Sequence, residues 1–259
     1  MTLPLVDSHC HLDFEAFAHD RDAVLQAAAQ VGVMAFVVPG ISRRQWPRLQ
    51  QLAQKYRNWQ LGFGLHPYFI AEHVPADLMQ LRQLLEQHPK AAVGEIGLDA
   101  TCAQPALQLR LLRAQLQIAA EYERPVILHH RKTLNNLLAE VKAAGKKQPL
   151  AGVVHAFSGS SEQAFAWAEL GFKLGVGGVI TYPRAKKSRQ AIAQAPLESL
   201  VLETDSPDMP LMGFQGERNE PARVRLVFNA LCELRPEPPA EIAAQLLLNT
   251  QPVFPEISI

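Results

Sequence analysis

The chain has 259 residues, 48% hydrophobic and 19% charged, enough apolar content for a large core. Lysine plus arginine and aspartate plus glutamate balance at 25 each, which argues against bulk nucleic-acid binding and leaves room for an enzyme that engages only a strand end. The three cysteines are odd in number and widely spaced, which argues against a disulfide framework, and no apolar run approaches the roughly 18 residues of a membrane span. The start MTLPLVDSHCH lacks the basic and apolar regions of a signal peptide, so the expectation is a soluble, cytoplasmic protein.

Short apolar, β-branched runs alternate with helical patterns along the chain. LVDSHCHL (5–12) is the first strand-like run, followed by RDAVLQAAAQVG, an alanine-rich helical stretch ending at Gly32. VMAFVVPG (33–40) reads as the second strand and ISRRQWPRLQQLAQKY as the helix after it. QLGFGLHP (60–67) and AAVGEIGLD (91–99) are the third and fourth strands. ALQLRLLRAQLQIAAEYE follows, with Leu109, Leu112, Leu116 and Ala119 on the rhythm of an amphipathic helix. PVILHH (125–130) precedes TLNNLLAEVKAAG, and AGVVHAF (151–157) precedes SEQAFAWAELG. Both of those helical patterns stop at a glycine, as helix C-termini do. FKLGVGGVI (172–180) and LVLETD (200–205) complete eight strands, and helical stretches 219–235 and 239–249 close the chain.

The strands are apolar almost throughout, which fits parallel strands covered on both faces. Eight strand–helix units without a linker or composition break predict one (β/α)8 barrel (TIM barrel) domain over residues 1–259. A doubly wound open sheet is the alternative, but no G-x-G-x-x-G follows the first strand to support it.

Polar residues fall at the strand ends. His9 and His11 end the first run, His66 the third, Glu95 the fourth, His129 and His130 the fifth, His155 the sixth and Asp205 the eighth. In a barrel these ends converge on the face where active sites are built. In a strand, residues two apart point the same way, so His9 and His11 would aim at one ion. His129 and His130 alternate, leaving one as a ligand and the other for packing or support. Burying so many ionisable groups without partners is costly, and divalent ions such as Zn²⁺, Mn²⁺ or Mg²⁺ would offset that cost. Cys10 is expected to point away from the metal, and Glu203 to orient a neighbour or face the helices. Phe157 and Trp167 are expected in the core. His19, His73 and His88 are read as solvent-exposed.

DSHCHLDF, GLHP, GEIGLD, PVILHHR, VVHAFSG, LETDSP and RNEPARV occur in that order over essentially the whole chain. With these motifs the sequence resembles the TatD family of metal-dependent hydrolases, in the wider amidohydrolase-like group of barrels. The resemblance implies a two-metal site: His9, His11, Glu95 and Asp205 on one ion, and Glu95, His129 and His155 on the other, with Glu95 bridging. It selects His129 over His130, and it implies hydrolysis of DNA phosphodiesters, from the 3′ end of single strands. Ala100 stands where the family usually has an aromatic residue, and Lys132 where an acidic one is usual. His130, TDSPDMPL and Pro252 are further departures. None removes an expected ligand.

On this reading Asp205 is the general base for a metal-activated water, alongside Glu95, while His66, Arg131 and Arg218 are candidates to grip a phosphate. The same kind of site can cleave an ester, lactone, amide or small phosphoester, because fold and metals do not fix the substrate. A barrel that keeps its metal without turnover is the third reading.

Overall fold

The computed structural model describes residues 2–146 and 148–257. In chain order the strands are β1 (Leu5–Asp7), β2 (Val33–Pro39), β3 (Trp59–Phe63), β4 (Ala92–Asp99), β5 (Val126–Arg131), β6 (Gly152–Val154), β7 (Lys173–Val176) and β8 (Leu200–Leu202). The helices are α1 (Arg21–Gln30), α2 (Trp46–Lys55), α3 (Ala76–Gln87), α4 (Pro105–Glu121), α5 (Leu134–Ala144), α6 (Ser161–Ala168), α7 (Lys186–Gln194), α8 (Val224–Leu234) and α9 (Pro239–Thr250). The strands hydrogen-bond in one eight-stranded sheet in their chain order, and β1–β2, β3–β4, β4–β5, β5–β6 and β7–β8 pair in parallel. This is the (β/α)8 barrel. A doubly wound sheet would reverse its strand order partway, and none of that occurs here.

The chain divides into two compact units. The first comprises Met1–Val38, Asn58–Gln60 and Ala156–Ile259; the second comprises Pro39–Arg57 and Leu61–His155. In the first, Phe17, Phe36, Trp167, Phe172 and Phe254 are fully buried. Phe157 and Trp167 are core residues, as expected. Trp46, Phe63, Leu81, Leu112 and Leu116 fill the second.

Two helices were not legible in the sequence, and both bury a narrow stripe. In α3 it is Asp77, Leu81 and Leu85; in α7 it is Ser188, Ala191 and Ile192. In α7 the remaining positions are largely polar, and in α3 the further apolar residues Leu78, Met79 and Leu84 lie off the buried stripe, so neither shows a clean apolar face. Strands β1 and β8 are also shorter than their apolar runs. Residues 5–13 are all buried, yet only Leu5–Asp7 join the ladder. Unbroken burial does not separate a paired strand from a buried loop.

Candidate active site

In the first unit, His9 and His11 lie beyond the end of β1 in irregular backbone, not within the strand as their spacing suggested. Backbone hydrogen bonds hold this extension against the one that follows β8. Ser8 N donates to Leu202 O at 2.8 Å, Asp205 N to His9 O at 2.9 Å, and His11 N to Ser206 O at 2.7 Å. Asp7, wholly buried, accepts from Thr204 N at 2.9 Å, Thr204 Oγ1 at 2.6 Å and His9 N at 3.3 Å. Burial pushes its pKa up to about 8 against the pull of those donors. Asp205 takes a left-handed φ of 61°, a conformation Asp tolerates better than most residues. The turn directs its carboxylate at both histidines.

His9 Nε2 and His11 Nε2 lie 3.5 and 3.6 Å from the same oxygen, Asp205 Oδ1. An ion held tetrahedrally at about 2.0–2.2 Å leaves its ligand atoms roughly 3.3–3.6 Å apart. Two imidazole nitrogens and a carboxylate oxygen at this spacing can hold one divalent cation. Phe14 stacks on the His11 ring with centroids 4.6 Å apart, which fixes its plane.

In the second unit, Glu95 is buried in the middle of β4, not at its end as GEIGLD suggested, because the ladder continues to Asp99, and one of its oxygens gathers three histidines. His129 Nδ1 is 3.0 Å from Glu95 Oε1, His66 Nε2 is 3.3 Å away and His155 Nε2 is 4.0 Å away. His129 is thus the histidine of the strand-five pair that reaches Glu95. Its other nitrogen, Nε2, faces Asp99 Oδ2 at 3.4 Å, and Asp99 is itself held by Thr101 N at 2.7 Å and Thr101 Oγ1 at 2.6 Å. Burial alone would raise the Asp99 pKa, but the bonds from His129 and Thr101 prevail and hold it well below the usual carboxylate range. Burial likewise pulls His129 down, and its bonds to Asp99 and Glu95 outweigh it, so its pKa is raised. A ring set between two carboxylates calls for positive charge there: its own second proton, donated from Nδ1 to Glu95, or a divalent ion in that proton's place while Nε2–H stays on Asp99, and the second donor set fits a metal on that ground.

His66 differs. Its Nδ1 accepts the Tyr68 backbone N–H at 3.0 Å, so in the neutral ring the proton sits on Nε2. Burial lowers its pKa, partly offset by Glu95, which favours that neutral form. Although His66, Glu95 and His129 are close enough to share an ion, the His66 nitrogen aimed there is a donor. His66 is better suited to hydrogen-bonding an oxygen than to binding a metal.

Two buried glutamines of α4 position this set. Gln115 Oε1 accepts from Leu65 N at 2.7 Å, next to His66, and its Nε2 donates to Leu65 O at 3.3 Å. Gln108 Oε1 accepts from Asp99 N at 2.9 Å and its Nε2 donates to Asp99 O at 3.1 Å. Neither residue was singled out in the sequence, where a glutamine on a helix reads as solvent-facing. Gly97 matters for a different reason: a Cβ there would sit 1.9 Å from His129 O, so only glycine lets β4 approach β5 this closely. A cavity of about 600 Å³ opens beside Asp99, with Ala100 in its wall.

Arg131 ends β5, exposed and without an ion pair to any described residue, so its donors are available. Arg218 is not placed that way. Its guanidinium makes a bidentate pair with Asp20 at 2.9 and 2.7 Å, bonds Glu220 at 2.8 Å and Ala16 O at 2.5 Å, and lies over the Phe17 ring. Four of its five N–H groups are engaged in these contacts, so the geometry favours a structural task over the substrate contact expected of it. The neighbouring Asn219 donates from Nδ2 to Thr204 O, Asp208 O and Met209 O, fixing the segment after β8. His73 is corrected: it is buried, and its Nε2 donates to His66 O at 2.9 Å. Glu203 orients a neighbour, accepting from Ala156 N at 2.6 Å directly after His155. Cys10 packs away from the histidines, its thiol near Val37 O.

These His/Glu/Asp sets on a (β/α)8 barrel can hold divalent ions, and related sequences place the chain among the metal-dependent hydrolases. The family description "TatD related DNase" matches residues 6–255. The uncharacterized metal-dependent hydrolase YjjV of Escherichia coli (strain K12) is 48% identical over 258 residues, covering 98% of this chain and 99% of that one. The crystal structure of YjjV, a TatD homologue from the same strain, is 47% identical and superposes with a TM-score of 0.93, covering 98% and 99% of the two chains. The protein named 3′-5′ ssDNA/RNA exonuclease TatD from Shigella flexneri serotype 5b is 30% identical over 257 residues, covering 96% of this chain and 98% of its own. The chain belongs to the TatD family of metal-dependent hydrolases. Among the described residues no helix is long and apolar enough to cross a membrane.

Proposed function

We propose that this protein is a cytoplasmic, divalent-metal-dependent deoxyribonuclease that trims single-stranded DNA from its 3′ end. One ion would be held by His9, His11 and Asp205, and one by Glu95, His129 and His155, drawn from zinc, magnesium or manganese. The observation that carries the reading is the pair of nitrogens, His9 Nε2 and His11 Nε2, set 3.5 and 3.6 Å from one Asp205 oxygen. Bound divalent ions would lower the pKa of a water and stabilise charge developing on the phosphate. The Shigella relative, named as a 3′-5′ exonuclease on single-stranded DNA and RNA, supports the choice of substrate. Three free cysteines suit a reducing compartment.

The chain's own groups divide the remaining work. Asp205, whose side chain is 16% exposed beside the fully buried His9, is open to water and takes the proton from the attacking one. His66 Nε2–H and the Arg131 guanidinium donate to phosphate oxygens. Asp99, accepting from His129 Nε2–H, would leave the Nδ1 lone pair free to hold an ion.

The test is 3′-end-resolved cleavage of single-stranded DNA by purified protein, metal-free and with Mg²⁺, Mn²⁺ or Zn²⁺. Metal-dependent trimming that Asp205→Asn reduces by about 10²–10⁴-fold is the expected result. Bound metal with no trimming of DNA or RNA would overturn the reading and redirect it to small esters and phosphoesters.

A further inference from the structure

Tyr68 is 68% exposed, the most exposed of the large apolar and aromatic side chains identified among the described residues. A lone exposed ring needs no explanation, but the placement of this one does. It sits in the 3-10 turn Pro67–Phe69, one residue past His66 and Pro67, and its N–H is bound to His66 Nδ1. The turn is rigid: Pro67 restricts it, His66 caps it, and His66 N donates to Ile41 O at 2.9 Å. Rings run in contact from Tyr68 towards the metal-binding set. Tyr68 meets Phe69 at 5.2 Å, Phe69 meets His66 at 6.3 Å, and His66 meets His129 at 4.2 Å between centroids.

The loop tied to this turn through Ile41 carries Arg43 and Arg44. Arg43 pairs with Asp77 at 3.4 Å. Arg44 is exposed and makes no ion pair with any described residue. An exposed aromatic face on an anchored backbone turn and an uncommitted guanidinium, on segments joined at Ile41 and His66, suit a ligand that is flat and aromatic with an anionic link. A nucleotide in a single strand has both features.

We propose that Tyr68 stacks on a nucleobase of the substrate strand while Arg44 contacts a phosphate beside it. The nucleobase platform would explain how a chain of zero net charge holds a single strand: stacking replaces a broad basic surface. This proposal rests on the nuclease reading above, and it adds a binding subsite outside the donor sets.

The experiment measures KM and kcat of the metal-loaded wild type, Tyr68→Ala, Tyr68→Phe and Arg44→Gln on a single-stranded oligonucleotide. The same measurements are made on oligonucleotides carrying one abasic residue, moved stepwise from the 3′ end. Tyr68→Ala should raise KM about 5- to 150-fold on the intact strand with little change in kcat. The strand whose abasic residue faces position 68 should lose that dependence, so that wild type and Tyr68→Ala bind it alike. Tyr68→Phe should behave as wild type, and Arg44→Gln should weaken intact and abasic strands equally. An unchanged KM in Tyr68→Ala on a strand that wild type trims would overturn the stacking proposal and leave the nuclease reading standing. Failure of wild type to trim any oligonucleotide would overturn both.

Discussion

Asp99 illustrates what a single side chain contributes here. It lies at the end of β4 in GEIGLD, bound by Thr101 and facing His129 Nε2. The sequence pointed to Glu95 in that motif and passed over Asp99, because an aspartate closing a strand is also common in turns. Only the register, in which Gly97 is opposite His129 and Asp99 opposite Arg131, brings the carboxylate to the imidazole. Asp99→Asn should leave the fold intact and weaken metal affinity about 10- to 100-fold, measured by competition with a chelator of known affinity. Unchanged affinity would mean that His129 is oriented without it. Arg218 gives the opposite lesson. Its motif marked it as a substrate contact, yet the guanidinium holds Asp20, Glu220 and Ala16. Arg218→Ala should therefore lower the thermal midpoint only slightly, as loss of a surface pair does, while KM on DNA stays within about twofold of wild type. A large rise in KM with unchanged stability would restore the sequence-based assignment.

At the scale of elements, the strand-end polar residues were legible because apolar runs leave them conspicuous, and their order along the chain carried the family resemblance. What holds them in place was less so. Helix α4 was recognised by Leu112, Leu116 and Ala119, but its buried face also contains Gln108 and Gln115. Apolar periodicity cannot reveal a helix whose core face supplies hydrogen bonds to neighbouring loops. Gln115 is wholly buried and satisfies both backbone groups of Leu65. Gln115→Leu would leave that N–H without an acceptor, costing about 1–3 kcal/mol and roughly 2–12 °C in thermal midpoint for a chain of this size. Thermal denaturation measures it. The loosened His66 turn should also raise KM on single-stranded DNA while metal content stays the same. Helices α3 and α7 went unread for a related reason, since each buries a stripe that includes a polar residue, Asp77 or Ser188.

At the scale of the whole molecule, eight strands in chain order and the placement of polar residues beyond or near strand ends follow from patterns spread over the full length. Such long-range repetition is the most readable feature of a barrel sequence. The irregular segments after β1 and β8 were not readable: they depend on Asp7 meeting Thr204 and on Asp205 adopting a positive φ, contacts between residues almost two hundred positions apart. The central claim is that these segments and the Glu95 cluster hold divalent ions. The most direct measurement is metal content per chain, by plasma mass spectrometry, after reloading the metal-free protein and removing excess ion. The account predicts two ions per chain in wild type and one fewer when His9 and His11 are both replaced by asparagine. Wild-type protein retaining no ion, or a double variant retaining as many as wild type, would contradict it.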